Sequence, residues 1–411
     1  MLQNIHHKIL IIGGGTAGLT VAARLKRAGE SGIAIIEPSE KHFYQPLWTL
    51  VGAGCVGKEV TMRNEADYIA AGTTWIKDSA CEISPDTKSV ATRSGARISY
   101  DFLIVAPGLE LDWDAIPGLR EAVGSGAVST NYSYDHTAQT WDLIRNFKGG
   151  TALFHMPGTP IKCPGAPQKI VYLTADYLER AGMLRSVELK YFVHAPVIFG
   201  VPFFARELVK IAERYGVQVH YQHNLVAVDA KANIAHFEIV GGDKQGQRIS
   251  VPYDMLHVSP PQSPPDEVKS SPLANAAGWV EVNQNSMQHL RHANVFALGD
   301  VIGTPNSKTA AAVRKQAPVV ARNILRLMKH QEIEGSYDGY ASCPLTTARG
   351  KAIIAEFIYG GKVTPTLPLL DPGKERWLGW WIKVSFLPML YWQYMLKGYE
   401  WFPGHNTAFE E

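Results

Sequence analysis

Cysteine is scarce: four occur in 411 residues, and no two stand as CxxC. That excludes a disulfide-stapled secreted scaffold, and the absence of CxxCH excludes an attached haem. The fourteen histidines show no ligand spacing with the cysteines, and His6 and His7, ahead of the first strand, read as solvated. Charge is also sparse, at 19% of residues, with 40 basic against 38 acidic side chains. Without a basic stripe or acidic tail, no nucleic-acid partner is expected. There is no internal repeat. Residues 1–8 run directly into a strand-forming stretch, so no cleavable targeting segment is expected. What the chain has is length and apolar content, 46% of residues, enough for two domains plus an appendage.

The opening stretch is the most specific. Lys8-Ile-Leu-Ile-Ile12 reads as a buried parallel strand, followed by Gly13-Gly-Gly15-Thr-Ala-Gly18 and a helical run to Arg27. Gly13 permits the tight turn, Gly15 lets the backbone approach a pyrophosphate, and Gly18 lets helix pack on strand, with the helix N-terminus facing the negative charge. A second strand at 33–36 ends at Glu37, where an acid can take the ribose hydroxyls of an adenosine. Together these predict a Rossmann-type dinucleotide site for FAD or NAD.

Downstream, Asn294-Val-Phe-Ala-Leu-Gly-Asp300 reads as another strand ending in Gly-Asp, with a helix starting near Lys308-Thr309. That arrangement is similar to the strand that returns to the FAD domain in two-dinucleotide-domain flavoproteins, and Leu103-Ile-Val-Ala-Pro-Gly108 is similar to the strand that leaves it. A helix start there, aided by Lys308, favours negative charge on a reduced flavin. The middle of the chain lacks the second cradle that an NAD(P)H enzyme needs: Pro157 and Pro160 occupy the turn after the strand-like stretch from Thr151, and no acid closes the next strand at 189–193. The turn instead carries Cys163-Pro-Gly-Ala-Pro-Gln-Lys169 ahead of a helix running to Arg180. A cysteine before a helix N-terminus and near Lys162 and Lys169 should have a lowered thiol pKa. Cys343, also followed by proline, is a second candidate. Either cysteine could instead be a small buried hydrophobe. Cys55 and Cys81 read as packing residues.

With these residues placed, the chain resembles sulfide:quinone oxidoreductases of the mitochondrial-like branch over nearly its whole length. The specific segments are Asn131-Tyr-Ser133, Lys162 to Lys169, Met255-Leu-His-Val-Ser-Pro-Pro261, Ser307 to Val313 and Tyr337-Asp-Gly-Tyr-Ala-Ser-Cys-Pro-Leu345. The resemblance implies an α/β fold with two Rossmann-like domains, like FAD-dependent disulfide reductases, plus a C-terminal amphipathic membrane-binding region. It implies cofactor contacts from Gly13, Gly15, Thr16, Ala17, Gly18, Glu37, Gln45, Ala80, Ala106, Pro107, Gly108, Gly299, Asp300, Lys308 and Thr309. It makes Cys163 and Cys343 a redox pair, with Lys169, Lys308 and Lys383 tuning flavin and quinone. Sulfide would attack a Cys163/Cys343 disulfide at Cys343, leaving a persulfide there, and the Cys163 thiolate would attack the flavin. Glutathione, sulfite, coenzyme A, cyanide or a second sulfide would take the outer sulfur, and ubiquinone or another quinone the electrons. No cysteine lies near 129–133, so FAD is expected to be non-covalent.

From Trp377 to Leu396 the only charge is Lys383, and half of the ten tryptophans lie between 377 and 401. Pro388 should split this run into an interfacial helical hairpin, continued by Tyr399, Trp401 and Phe402, on which the protein rests as a monotopic membrane protein. Lys383 would then meet the quinone oxygens or snorkel to headgroups. A buried core, a dimer contact or a spanning helix are the alternatives. The expected site is the cytoplasmic face of a bacterial inner membrane. The expected layout is an FAD domain at 1–112 and 294–330, a second Rossmann-like domain at 113–293, and a redox-loop and membrane region at 331–411. The rivals are an NADH:quinone oxidoreductase of the same fold, a flavocytochrome-linked sulfide dehydrogenase and a non-catalytic flavin-bearing membrane protein.

Overall fold

The computed structural model describes residues 4–400. Its first sheet is built on the strand Asn4–Ile12, with Ile33–Ile36 and Thr74–Ile76 on one side and Arg97–Val105 on the other. These strands run parallel, and Val295–Ala297 returns from far downstream to pair with Arg97–Val105. An antiparallel hairpin, Ala80–Ser84 with Ser89–Thr92, closes the edge. Ile9 to Ile12 are buried on both faces, which a short all-aliphatic run can be only in a covered parallel sheet. Helix Thr16–Arg27 covers one face, together with the returning helix Ala310–Met328.

The second sheet is wholly parallel, in the order Val128–Ser129, Met255–His257, Gly150–Met156, Val187–Val193, Gln218–Tyr221. Beside it lies a three-stranded antiparallel sheet of residues 223–252. A last hairpin, Ala341–Ala348 with Lys351–Phe357, has two unlike faces set by strand alternation. Cys343, Leu345, Ile353 and Ala355 pack into the core of the second sheet, whereas Ser342, Pro344, Ile354 and Glu356 line a cavity.

The C-terminal stretch departs from the expected hairpin. Residues 377–393 form one uninterrupted helical path, α over Trp377–Trp381, π over Ile382–Phe386 and α again over Leu387–Gln393. Proline lacks an N–H and crowds the carbonyl a turn before it. The wider π turn just ahead of Pro388 absorbs that conflict, so the proline does not break the helix. Among the described residues no helix is long and apolar enough to cross a membrane. Trp401 and Phe402 lie outside the described residues.

Candidate active site

A cavity of about 640 Å³ runs from the glycine loop, past Cys163, to the C-terminal helix. At its first end Gly15 precedes helix Thr16–Arg27, and a Cβ built on Gly15 would meet nothing within 4 Å, so the backbone there is open to a ligand. A Cβ on Gly18 would fall 1.9 Å from the Gly13 carbonyl, which makes glycine obligatory for this approach of helix to strand. The Glu37 carboxylate accepts from the Gly14 and Ser39 N–H groups, both at 2.7 Å, and lines the cavity beside Thr16 and Ala17. Gln45, Ala106, Pro107, Gly108, Gly299, Asp300, Lys308 and Thr309 line it too. Ala80 is not on its wall; it pairs with Thr92 in the edge hairpin.

Two buried groups fit an external ligand. Both side-chain amide atoms of Asn131, and Oε1 of Glu65, are buried without a protein partner at this cavity. Buried polar atoms are nearly always paired, so these await donors and acceptors of a bound molecule. With the open Gly15 and the Gly-Asp turn, the residues present fit FAD.

At the centre, Cys163 adopts a left-handed backbone (φ 51°), its N–H donating to the Lys308 carbonyl at 2.8 Å and its carbonyl accepting from Ala166, the first residue of helix Ala166–Arg180. This places the thiol just before the helix N-terminus. A hydrogen bond with Cys343 is the main influence holding the Cys163 thiol well below its usual range; burial opposes it, and Lys169, whose Nζ donates to Sγ at 3.1 Å, and Lys383 reinforce it. The same sulfur–sulfur contact, with burial, pushes Cys343 well above. No disulfide joins them in this structure, and their mutual contact favours the thiolate at Cys163 over Cys343. Cys163 faces the cavity and Cys343 lies behind it.

The lysines have different jobs. Lys383 is 2% exposed and donates to the Pro46 carbonyl at 2.9 Å, so it points inward and does not reach headgroups, which corrects the snorkelling alternative. Burial, with Lys169 nearby, lowers it to about 7. Lys308 spends its ammonium on the carbonyls of Asp300 (2.7 Å) and Ile302 (2.9 Å) and stacks on Trp279. It ties the Gly-Asp turn together, and burial lowers it to about 8. Burial also lowers Lys162, whose charge partner is Asp300. Cys55 is packed, its thiol pushed up to about 11 by burial, but Cys81 is exposed on the edge strand and is no packing residue.

In the second sheet, a Cβ on Gly158 would meet the His194 ring at 2.6 Å. The imidazole fills the space above the turn where a phosphate cradle would lie. Sequence reading missed a buried chain leading to the glycine loop: Glu65 to His42 Nδ1 (3.0 Å), His42 Nε2 to the Tyr391 hydroxyl (2.6 Å), and Tyr391 to Thr16 (2.7 Å). No spacing signals it, because its members are separated by up to 375 positions.

A nucleotide loop, a returning Gly-Asp strand and a thiol pair at the second sheet define a flavoprotein of the disulfide-oxidoreductase class. The pyridine nucleotide-disulphide oxidoreductase family model matches residues 7–141. Over 96% of its length the chain is 43% identical to mitochondrial sulfide:quinone oxidoreductase of Mus musculus, covering 87% of that protein. It is 43% identical over 99% of its length to the Dictyostelium discoideum enzyme of the same name, covering 89%. The X-ray structure of the sulfide:quinone oxidoreductase of Aquifex aeolicus superposes with TM-score 0.78 at 19% identity, over 99% of this chain and 98% of that one. The chain belongs to the sulfide:quinone oxidoreductase family. Both relatives at 43% identity are named mitochondrial, which overturns the expectation of a bacterial inner membrane.

Proposed function

We propose that the chain oxidises sulfide at the Cys163/Cys343 pair and passes two electrons through FAD to a quinone. One observation carries this reading: Cys163, held as a thiolate by Cys343 and Lys169, stands at the wall of the cavity that fits the flavin. FAD, when bound, supplies a two-electron acceptor there. Gly15 and Glu37 would hold its dinucleotide, and Asp300 with Thr309 its far end. Starting from the disulfide, hydrosulfide bonds to the Cys343 sulfur and the bond to Cys163 breaks, leaving the electron pair on Cys163. Lys169 and Lys383 stabilise that thiolate. A small nucleophile, such as glutathione or sulfite, then removes the outer sulfur from Cys343, leaving two thiolates whose re-closure to the disulfide would release the electron pair that bound FAD would accept. Lys162, Lys169 and Lys383 suit an anionic acceptor of sulfur.

The apolar mouth, lined by Leu367, Leu378, Ile382 and Phe386, suits the quinone. Leu369 (97% exposed) and Trp377 (65%) flank it and would rest on lipid, in a mitochondrial membrane. Residues 1–112 with 294–330 are taken as the FAD unit, 113–293 as the second and 331–411 as the redox-loop and membrane unit. The test is anaerobic addition of sulfide while the flavin spectrum is followed. Bleaching is expected in the wild type and not in Cys163→Ser; full-rate bleaching in the variant overturns the assignment. An NADH reductase has no support in the His194-filled turn, and rapid bleaching by NADH would revive it.

A further inference from the structure

Turning a quinone into a quinol consumes two electrons and two protons. Reduced flavin carries one transferable proton with the electron pair, so a second must come from the protein. Five carboxylates line the cavity. Glu37 and Glu65 belong to the glycine-loop end, Asp300 faces Lys308 and Lys162, and Asp371 lies on the exposed surface. Glu356 alone among these is buried at the apolar mouth, beside Pro365, Thr366 and Leu367, and on the hairpin face opposite to Cys343.

Its partners are suited to proton transfer. Oε1 accepts from the Tyr340 hydroxyl and from the Thr366 hydroxyl, both at 2.5 Å, and Oε2 accepts from the Thr366 N–H at 2.7 Å. Hydroxyls can turn and accept, so the carboxyl can hold or give up a proton without orphaning a buried group. Tyr340 is itself buried, among charged groups. Arg314 and Lys315, on helix Ala310–Met328, sit over its ring at 5.2 and 5.7 Å, and its N–H donates to Asp338 at 3.0 Å; all three charged residues are half-buried. Lys315 also feels the charges of Glu356, Asp338 and Arg314.

We propose that Glu356 delivers the second proton to the quinone oxygen and is reloaded through the Tyr340 and Thr366 hydroxyls that contact it. This rests on the quinone reading above. In the step the quinone takes two electrons and one proton from the reduced flavin. The Glu356 O–H breaks, the second quinol O–H forms, and the carboxylate left behind regains a proton by way of the hydroxyls of Tyr340 and Thr366.

The experiment uses FAD-loaded protein reduced with either sulfide or dithionite, then mixed with decylubiquinone. In Glu356→Gln, sulfide-driven bleaching should stay within twofold of wild type. Recolouring by decylubiquinone should slow at least tenfold, with a larger solvent deuterium isotope effect, while decylubiquinone binding, read by tryptophan quenching, changes less than twofold. Tyr340→Phe should slow recolouring to a lesser degree. Wild-type recolouring in Glu356→Gln, or a slowing matched by weaker decylubiquinone binding, overturns the proposal. Failure of sulfide to bleach the wild type would sink the sulfide reading instead, and the dithionite arm would still report the proton step.

Discussion

Lys383 is a lysine kept half-neutral near physiological pH inside the protein, and two consequences follow. Above about 7 the folded chain releases a proton that the unfolded chain, with an ordinary lysine near 10.5, retains. Stability should therefore rise with pH across that window and be lowest below it. Lys383→Met should flatten that rise, as read from thermal unfolding at a series of pH values. The second consequence concerns Cys163. Losing a nearby positive charge raises a thiol, so the pH midpoint for iodoacetamide labelling of Cys163 in the reduced protein should move up in Lys383→Met. It should move further in Lys169→Met, because Lys169 also donates directly to the sulfur. Equal midpoints in all three proteins would deny the lysines this role. Cys163 and Lys169 were legible because they are neighbours along one turn and helix. Glu65 and Glu356 were not, since a carboxylate in a strand or loop looks solvated until its surroundings are placed.

The helix of residues 377–393 does more than present an apolar surface. Its Tyr391 is 3% exposed and packs tilted against Tyr44 with ring centroids 4.5 Å apart, and the hydroxyl joins His42 to Thr16 at the nucleotide loop. Tyr391→Phe leaves the buried His42 Nε2 unpaired, at a cost of roughly 1–3 kcal/mol. It should lower the melting temperature and speed FAD loss severalfold, measured by flavin fluorescence on dilution; unchanged release would show that the helix and the cofactor loop are independent. The strands and helix around Gly13–Gly18 could be read from the sequence because local pattern and tertiary burial agree there. The π segment could not, since it depends on a helix being held on both sides of Pro388, by packing of Trp380 and Val384 before it and of Trp392, Met395 and Leu396 after it against the first core.

At the scale of the whole molecule, exposed apolar side chains gather along residues 367–381: Leu367, Leu369, Trp377, Leu378 and Trp381. Removing such side chains from water is worth roughly 1.5–3 kcal/mol each when complete. Changing Leu369, Trp377 and Trp381 together to serine should therefore reduce sedimentation with phospholipid vesicles by at least tenfold, while sulfide-driven bleaching is retained; undiminished vesicle binding would place the membrane contact elsewhere. The last hairpin separates the buried Cys343 from the side chains that line the cavity. Its side chains alternate, so each residue serves one compartment only. Removing a single residue between Tyr340 and Cys343 would invert the assignment, turning Ser342 toward Cys163 and the Cys343 thiol toward the acceptor's chamber. Variation in the acceptor can thus accumulate at even-numbered hairpin positions without disturbing the sulfur side, whereas a change of length is forbidden.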